Sequence, residues 1–249
     1  MAQGKKPGTA KKRGPKPKGP SDEGTKQKLI AATARHLAEY GPRGTEVGAV
    51  CKELDLSPSL VNYYFGGPDP LIWQAAMASY SEHVEMQRQA LERAPDGKLA
   101  VETWVLNTIE WKQQNPGIAA VVDYPMLALS REEMAEADRL AKELSAVSRE
   151  NVAITGSAVY SLMTGKAPKK LSSARVAALI KLNSEFAYWI SAVGFGAFGA
   201  GAWIAGRKPY SAVWRAFGFS PDKQIRSTLR ELTARIARAD GESLAEDDD

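Results

Sequence analysis

Residues 45–71 read Thr45-Glu-Val-Gly-Ala-Val-Cys-Lys-Glu-Leu-Asp55-Leu-Ser57-Pro-Ser-Leu-Val-Asn-Tyr-Tyr-Phe65-Gly-Gly-Pro-Asp-Pro-Leu71. The stretch predicts two short helices joined by a tight turn. Thr45 is placed to cap the first, since its hydroxyl can accept from an orphan N–H at a helix start. Val47, Val50, Cys51 and Leu54 then recur at i, i+3, i+4 and i+7, which puts them on one buried stripe. Asp55 falls at the turn, where Asp tolerates left-handed backbone better than most residues. Ser57 is the expected cap of the second helix, with Pro58 at the first helical position, where a missing N–H costs nothing. Val61 and Phe65, four apart, share an inner face. Ser59, Leu60, Asn62 and Tyr63 are left nearer the outside, with Tyr64 at the edge.

An ordinary pair of core helices in an all-α protein would use the same cap, stripe and turn. Their succession at this spacing is the build of a helix-turn-helix DNA reader, in which one helix braces and the next enters a major groove.

Other residues join these in a wider pattern. Upstream lies an Ala-rich helix, Leu29-Ile-Ala-Ala-Thr-Ala-Arg-His-Leu37, then Gly41 and Gly44-Thr45. Downstream come Ser57-Pro-Ser-Leu-Val-Asn-Tyr-Tyr-Phe-Gly-Gly67, Asp69 and Leu71. From about Thr25 to Leu71, roughly a fifth of the chain, the sequence resembles the N-terminal domain of the TetR (tetracycline repressor) family of bacterial transcription regulators. The Val-Asn-Tyr-x-Phe run is the most specific part. The resemblance implies that Thr45, Ser57 and Tyr64 donate to DNA phosphates. It also implies that Pro58, Ser59, Leu60, Asn62 and Tyr63 face the groove. Asn62 replaces a Tyr that many members use for phosphate contact. Asp55 stands where the family usually has Gly, Cys51 where it has Ala, and Pro68 where it has a phosphate-holding Lys. No Arg or Lys occurs from Pro58 to Tyr64, so bidentate Arg-to-guanine readout is unavailable from this helix. Base reading falls to Asn62, Ser59 and Tyr63, with apolar contact to thymine methyls.

The ends of the chain carry opposite charge. The first 20 residues hold seven bases, Lys5, Lys6, Lys11, Lys12, Arg13, Lys16 and Lys18, and no acid. Five Gly and Pro residues from Gly14 to Pro20 exclude a helix, and the absence of an apolar run excludes a secretory signal. This reads as a disordered basic arm, residues 1–21, either a solvated tail or a grip on DNA beside the reading helices. Its position directly before those helices favours DNA contact through Lys12, Arg13, Lys16 and Lys18. Arg13-Gly-Pro-Lys-Pro-Lys18 is similar to an AT-hook but lacks the second Arg. Residues 240–249 carry six acids and no base, an acidic disordered tail. The net charge of +4 thus hides two opposed ends.

Hydrophobic residues make up 44% of the 249, enough for a folded body. One cysteine excludes an internal disulfide, and the two histidines, His36 and His83, lie far apart on separate expected helices. Cys51 reads as a small core filler. No metal-ligand spacing, Gly-rich phosphate loop or Ser/His/Asp constellation is present, so neither a cofactor, a metal nor an enzyme is expected.

The expected fold class is all-α: a three-helix DNA-binding domain over residues 22–68, then a larger helical domain over 69–239. Long helices are predicted at about 68–93 and 98–114. A short apolar stretch spans 118–129, and Ser130-Arg-Glu-Glu133 forms a capping box opening a helix toward Met163. A loop follows at 165–170, with helices at about 172–206 and 220–239.

Phe186 to Gly206 carries no charge over 21 residues, the length of a membrane span. Five glycines and sparse aliphatics argue against one. The TetR resemblance implies a homodimer joined through the last two long helices, where Phe195, Phe198 and Trp203 would meet the mate. It also implies an effector pocket among the helices. Trp104, Trp111, Tyr124, Met126, Phe186, Tyr188 and Trp189 could line it, with Asn183 and Glu185 as polar contacts. For each of these, plain hydrophobic core is the competing assignment. The whole reading is a cytoplasmic, nucleoid-associated regulator that binds double-stranded DNA as a homodimer and a small-molecule effector, with no membrane partner. A DNA-organising protein without effector is the alternative.

Overall fold

The computed structural model describes residues 22–123 and 137–182, together with 231. Among these every regular element is helical, and the fold class is all-α. The helices are α1 (Asp22–Tyr40), α2 (Val47–Glu53), α3 (Ser59–Phe65), α4 (Pro68–Arg93), α5 (Gly97–Gln114), α6 (Pro116–Asp123), α7 (Ala137–Thr164) and α8 (Ser173–Leu182).

Local sequence fixes where these elements start and stop. Proline opens α4 and α6, where a missing N–H is not needed. Asp96 caps α5, its carboxylate accepting from the Leu99 N–H at 2.8 Å. The expected helices at 68–93 and 98–114 match α4 and α5 to within a residue, and α7 ends one residue past the expected Met163. The capping box at Ser130–Glu133, the helix at 220–239 apart from residue 231, and the uncharged run from Phe186 to Gly206 lie outside the described residues. No helix among the described residues is long and apolar enough to cross a membrane.

Two apolar clusters form. The smaller gathers Leu29 and Ala32 of α1, Val50 and Cys51 of α2, Val61 and Phe65 of α3, and Leu71 of α4. The larger joins α4, α5, α6, α7 and α8 around Trp73, Tyr80, Trp104, Trp111, Ile154 and Leu179, and takes in Leu37 from α1. Helix α4 serves both: Leu71 lies in the first cluster, and Trp73, Ala76, Met77, Tyr80 and Val84 lie in the second. Their three- and four-residue spacing places the latter on one face. The Trp73 indole N–H donates to Glu143 of α7 at 2.8 Å, fixing the start of α4 to the larger bundle.

Helix α6 crosses the end of α1 at a point only glycine allows. A Cβ on Gly117 would sit 1.8 Å from the Leu37 carbonyl oxygen and 2.7 Å from the Gly41 Cα. The two backbones therefore meet directly, and α6 anchors the C-terminal end of α1.

Candidate functional site

Helices α2 and α3 are joined by a turn whose hydrogen bonds account for its shape. The Leu56 N–H donates to the Cys51 carbonyl at 2.8 Å, and the Asp55 N–H to the Lys52 carbonyl at 3.2 Å. This pair of bonds is a Schellman cap, which needs left-handed backbone at the residue between the helix end and the outer donor. Asp55 supplies it with φ 54°, the one positive-φ non-glycine among the described residues. Leu56 and Cys51 both pack on the small cluster, the apolar contact that accompanies such caps.

The start of α2 differs from the sequence expectation. Thr45 is not its cap. Glu46 holds that position in extended backbone, with no side-chain hydrogen bond. Thr45 is only 9% exposed, and its hydroxyl donates to the Gly41 carbonyl at 2.7 Å. The chain leaves α1 through left-handed Gly41, and the hydroxyl closes that turn. Its single proton goes to that carbonyl in this structure.

Helix α3 begins at Ser59, two residues after Ser57. Pro58 precedes it with helical φ −55° and ψ −24°. The Ser57 hydroxyl accepts from the Ser59 N–H at 3.4 Å and lies 2.8 Å from the Ser59 hydroxyl, and its carbonyl accepts from the Leu60 N–H. Val61 and Phe65 are buried. Ser57, Pro58, Ser59, Asn62 and Tyr63 are exposed, while Leu60 and Tyr64 are half-buried. Ser59, Asn62 and Tyr63 stand at i, i+3 and i+4, one strip of the outer face. Tyr63 is 71% exposed, unusual for so large a ring, and meets Tyr64 edge to face at 5.0 Å. Gly66, at φ 82°, ends the helix by donating to the Asn62 carbonyl. The face thus offers hydroxyl and amide groups that donate and accept, and no formal charge.

A polar cluster steadies α2 on α1. Glu53 of α2 accepts from His36 at 2.8 Å and from Arg35 at 2.5 Å. The hydrogen bonds from His36 and then Arg35 hold the Glu53 carboxyl below its ordinary range. Cys51 is fully buried, and burial pushes its thiol up.

A second polar group lies within the larger cluster, on residues that sequence reasoning passed over. His83 and Gln87 of α4 are 3% and 1% exposed. The Gln87 amide nitrogen donates to the Trp104 carbonyl and the Thr108 hydroxyl, both at 2.9 Å, and lies 3.4 Å from His83 Nε2. His83 stacks on Trp111 at 4.7 Å, and its Nδ1 is buried without a hydrogen-bond partner among the described residues. Burial, and then the charge of Lys112, lower His83 to about 4. The Trp104 indole donates to Asn151 of α7, whose amide donates to the Tyr80 hydroxyl. The signal in sequence was slight: a His and a Gln four apart on an otherwise apolar helix stripe.

Of the expected pocket lining, Trp104 and Trp111 are buried in this cluster. Tyr124, Met126, Asn183, Glu185, Phe186, Tyr188 and Trp189 lie outside the described residues. So do Phe195, Phe198 and Trp203, and the arm residues Lys12, Arg13, Lys16 and Lys18. No group of three or more His, Cys, Asp or Glu among the described residues could hold a metal ion. No family model matches the chain, and no curated protein matches it.

Proposed function

We propose that this protein is a TetR-like transcription regulator that binds DNA as a homodimer through a helix-turn-helix made of α2 and α3. The observation that carries the reading is the outer face of α3. Ser59, Asn62 and Tyr63 stand exposed on a helix held from behind by Val61 and Phe65. A short, rigid helix with adaptable polar groups on one face suits base reading in a major groove, where Asn can pair bidentately with adenine. Ser57 and Tyr64 contact phosphates beside it. With no cation on α3, the basic arm supplies phosphate contacts through Lys12, Arg13, Lys16 and Lys18.

In this reading the helical domain after α3 dimerises and takes a small-molecule effector. The buried polar groups around Trp104 and Trp111 support such a site, because ligand pockets pair apolar walls with a few fixed polar atoms. The effector releases DNA only by binding more tightly to a conformer whose two recognition helices no longer match the half-site spacing. Repression fits an operator that overlaps a promoter. No catalytic step is part of the proposal.

The test selects genomic fragments with the purified protein at moderate salt, with and without residues 1–20. A sharp near-palindromic motif is expected, weakened when the arm is removed. Diffuse A·T-rich enrichment in both cases would overturn the regulator and favour a DNA-organising protein that relies on the arm's general affinity.

A further inference from the structure

Away from α3, a groove of about 710 Å³ runs between α1 and α4 and ends where α5 passes into α6. Its lining includes the small side chains of Ala31, Ala34 and Ala38 of α1 and Ala78 of α4, together with Ile30 and the buried Ile118. Glu39 and Glu82 stand along it, both exposed. The last turn of α5 and the first turn of α6 line its far end, and the opposite partial charges of those two helix ends offset one another. Arg35 is the one basic residue among those lining the groove, and it is turned to Glu53 of α2. The groove is open and carries two exposed carboxylates against one guanidinium that is already paired.

We propose that this groove is where the chain's own basic arm, residues 1–20, rests when the protein is off DNA. Placement and charge choose the occupant. The arm precedes α1, which begins at Asp22, and the groove starts at Gln27, about 7.5 Å along the helix. Glu39 lies about 25 Å from Asp22, a span that about eight extended residues cover. An arm turned back at Gly19-Pro20 therefore sets Lys18, Lys16 and Arg13 along α1 toward Glu39 and Glu82. Seven bases without an acid complement a surface bearing the carboxylates of Glu39 and Glu82, whereas the acidic residues 240–249 would be repelled by it.

Docking has a consequence for binding. An arm held on α1 and α4 is withdrawn from DNA, so DNA affinity falls by the fraction docked. That consequence rests on the arm contacting DNA, as proposed above; the docking itself does not.

The test uses the full-length chain. Zero-length carbodiimide cross-linking of the DNA-free protein at low ionic strength is mapped by mass spectrometry, in a mixture of isotopically heavy and light chains. Links from Lys11, Lys12 or Lys16 to Glu39 or Glu82 within one chain are expected. Their absence overturns the proposal, as do links found only between heavy and light chains, which would place the arm on a second copy.

DNA binding supplies the second readout, with Glu39→Gln plus Glu82→Gln made in the natural chain and in one carrying Arg13→Gln, Lys16→Gln and Lys18→Gln. The groove substitutions should tighten binding to a nonspecific duplex by about threefold or more in the natural arm background alone. Equal tightening in both backgrounds means only that like charge was removed, and overturns the proposal. If neutralising the arm leaves DNA affinity unchanged, the DNA-contact reading fails, and the cross-links alone decide the docking.

Discussion

The cluster beneath α3 and the larger cluster between α4, α5 and α7 place their polar groups on opposite sides. The buried side chains of α2 and α3, Val50, Cys51, Val61 and Phe65, are apolar, and Ser59, Asn62 and Tyr63 project outward from α3. In the larger cluster His83 and Gln87 are buried on α4 beside Trp104 and Trp111. The contrast teaches where stability and recognition can be separated. On α3 a polar side chain can be removed with little effect on the core behind it. On α4 and α5 the polar groups are part of the core, and a change there moves stability first.

The sharpest way to break this comparison is at the joint between the two regions. Gly117→Val places a side chain where the α1 backbone already lies. It should lower unfolding free energy by about 3 kcal/mol or more, by urea titration. A loss below about 1 kcal/mol would mean that α6 does not rest on α1 as described.

His83 probes the buried polar cluster through pH. Its pKa is lowered from 6.5 to about 4 on folding, so between those values the unfolded chain binds the extra proton. Stability is complete above pH 6.5 and falls as pH drops toward 4, by about 3 kcal/mol in all. Glu85, held near 2 by Arg88, titrates mostly below this window. Urea midpoints between pH 7 and pH 4.5 should therefore decline in the natural protein and flatten in His83→Leu. An unchanged slope in that variant would assign the titration elsewhere.

On α3 the expectation reverses. Asn62→Ala should weaken binding to the selected operator by about 1–3 kcal/mol, with stability changed by no more than about 0.5 kcal/mol. If stability falls as far as affinity, the two properties are not separable there and the contrast with α4 is lost.

The smallest effect lies in the turn. Asp55→Val forces a β-branched residue into φ 54° and should cost about 1–2 kcal/mol, whereas Asp55→Gly should stay within about 0.5 kcal/mol of the natural protein. Equal losses would show that the Asp55 side chain, rather than its backbone, matters.

Much of α2 and α3 was legible in sequence because the signals are local. Val50, Cys51, Val61 and Phe65 lie inward as their spacing predicted, and Asp55 adopts the left-handed turn expected of it. Thr45 was misread because a hydroxyl near a helix start has several possible acceptors. Here Gly41, four residues back in the preceding turn, is the one it donates to. The pairing of Trp104 with Asn151, 47 residues away, had no local signal at all.

What the sequence determined by itself is therefore the course of α2 to α5 and the inner faces of α2 and α3, since capping and three-to-four-residue periodicity act within a turn or two. Only the tertiary structure decided that His83 is buried neutral beside Trp111, that Gly117 admits α6 onto α1, and that Glu39 and Glu82 face one groove. Each depends on how separate helices lie against one another. That is set by the packing of many side chains at once, and no short stretch of chain encodes it.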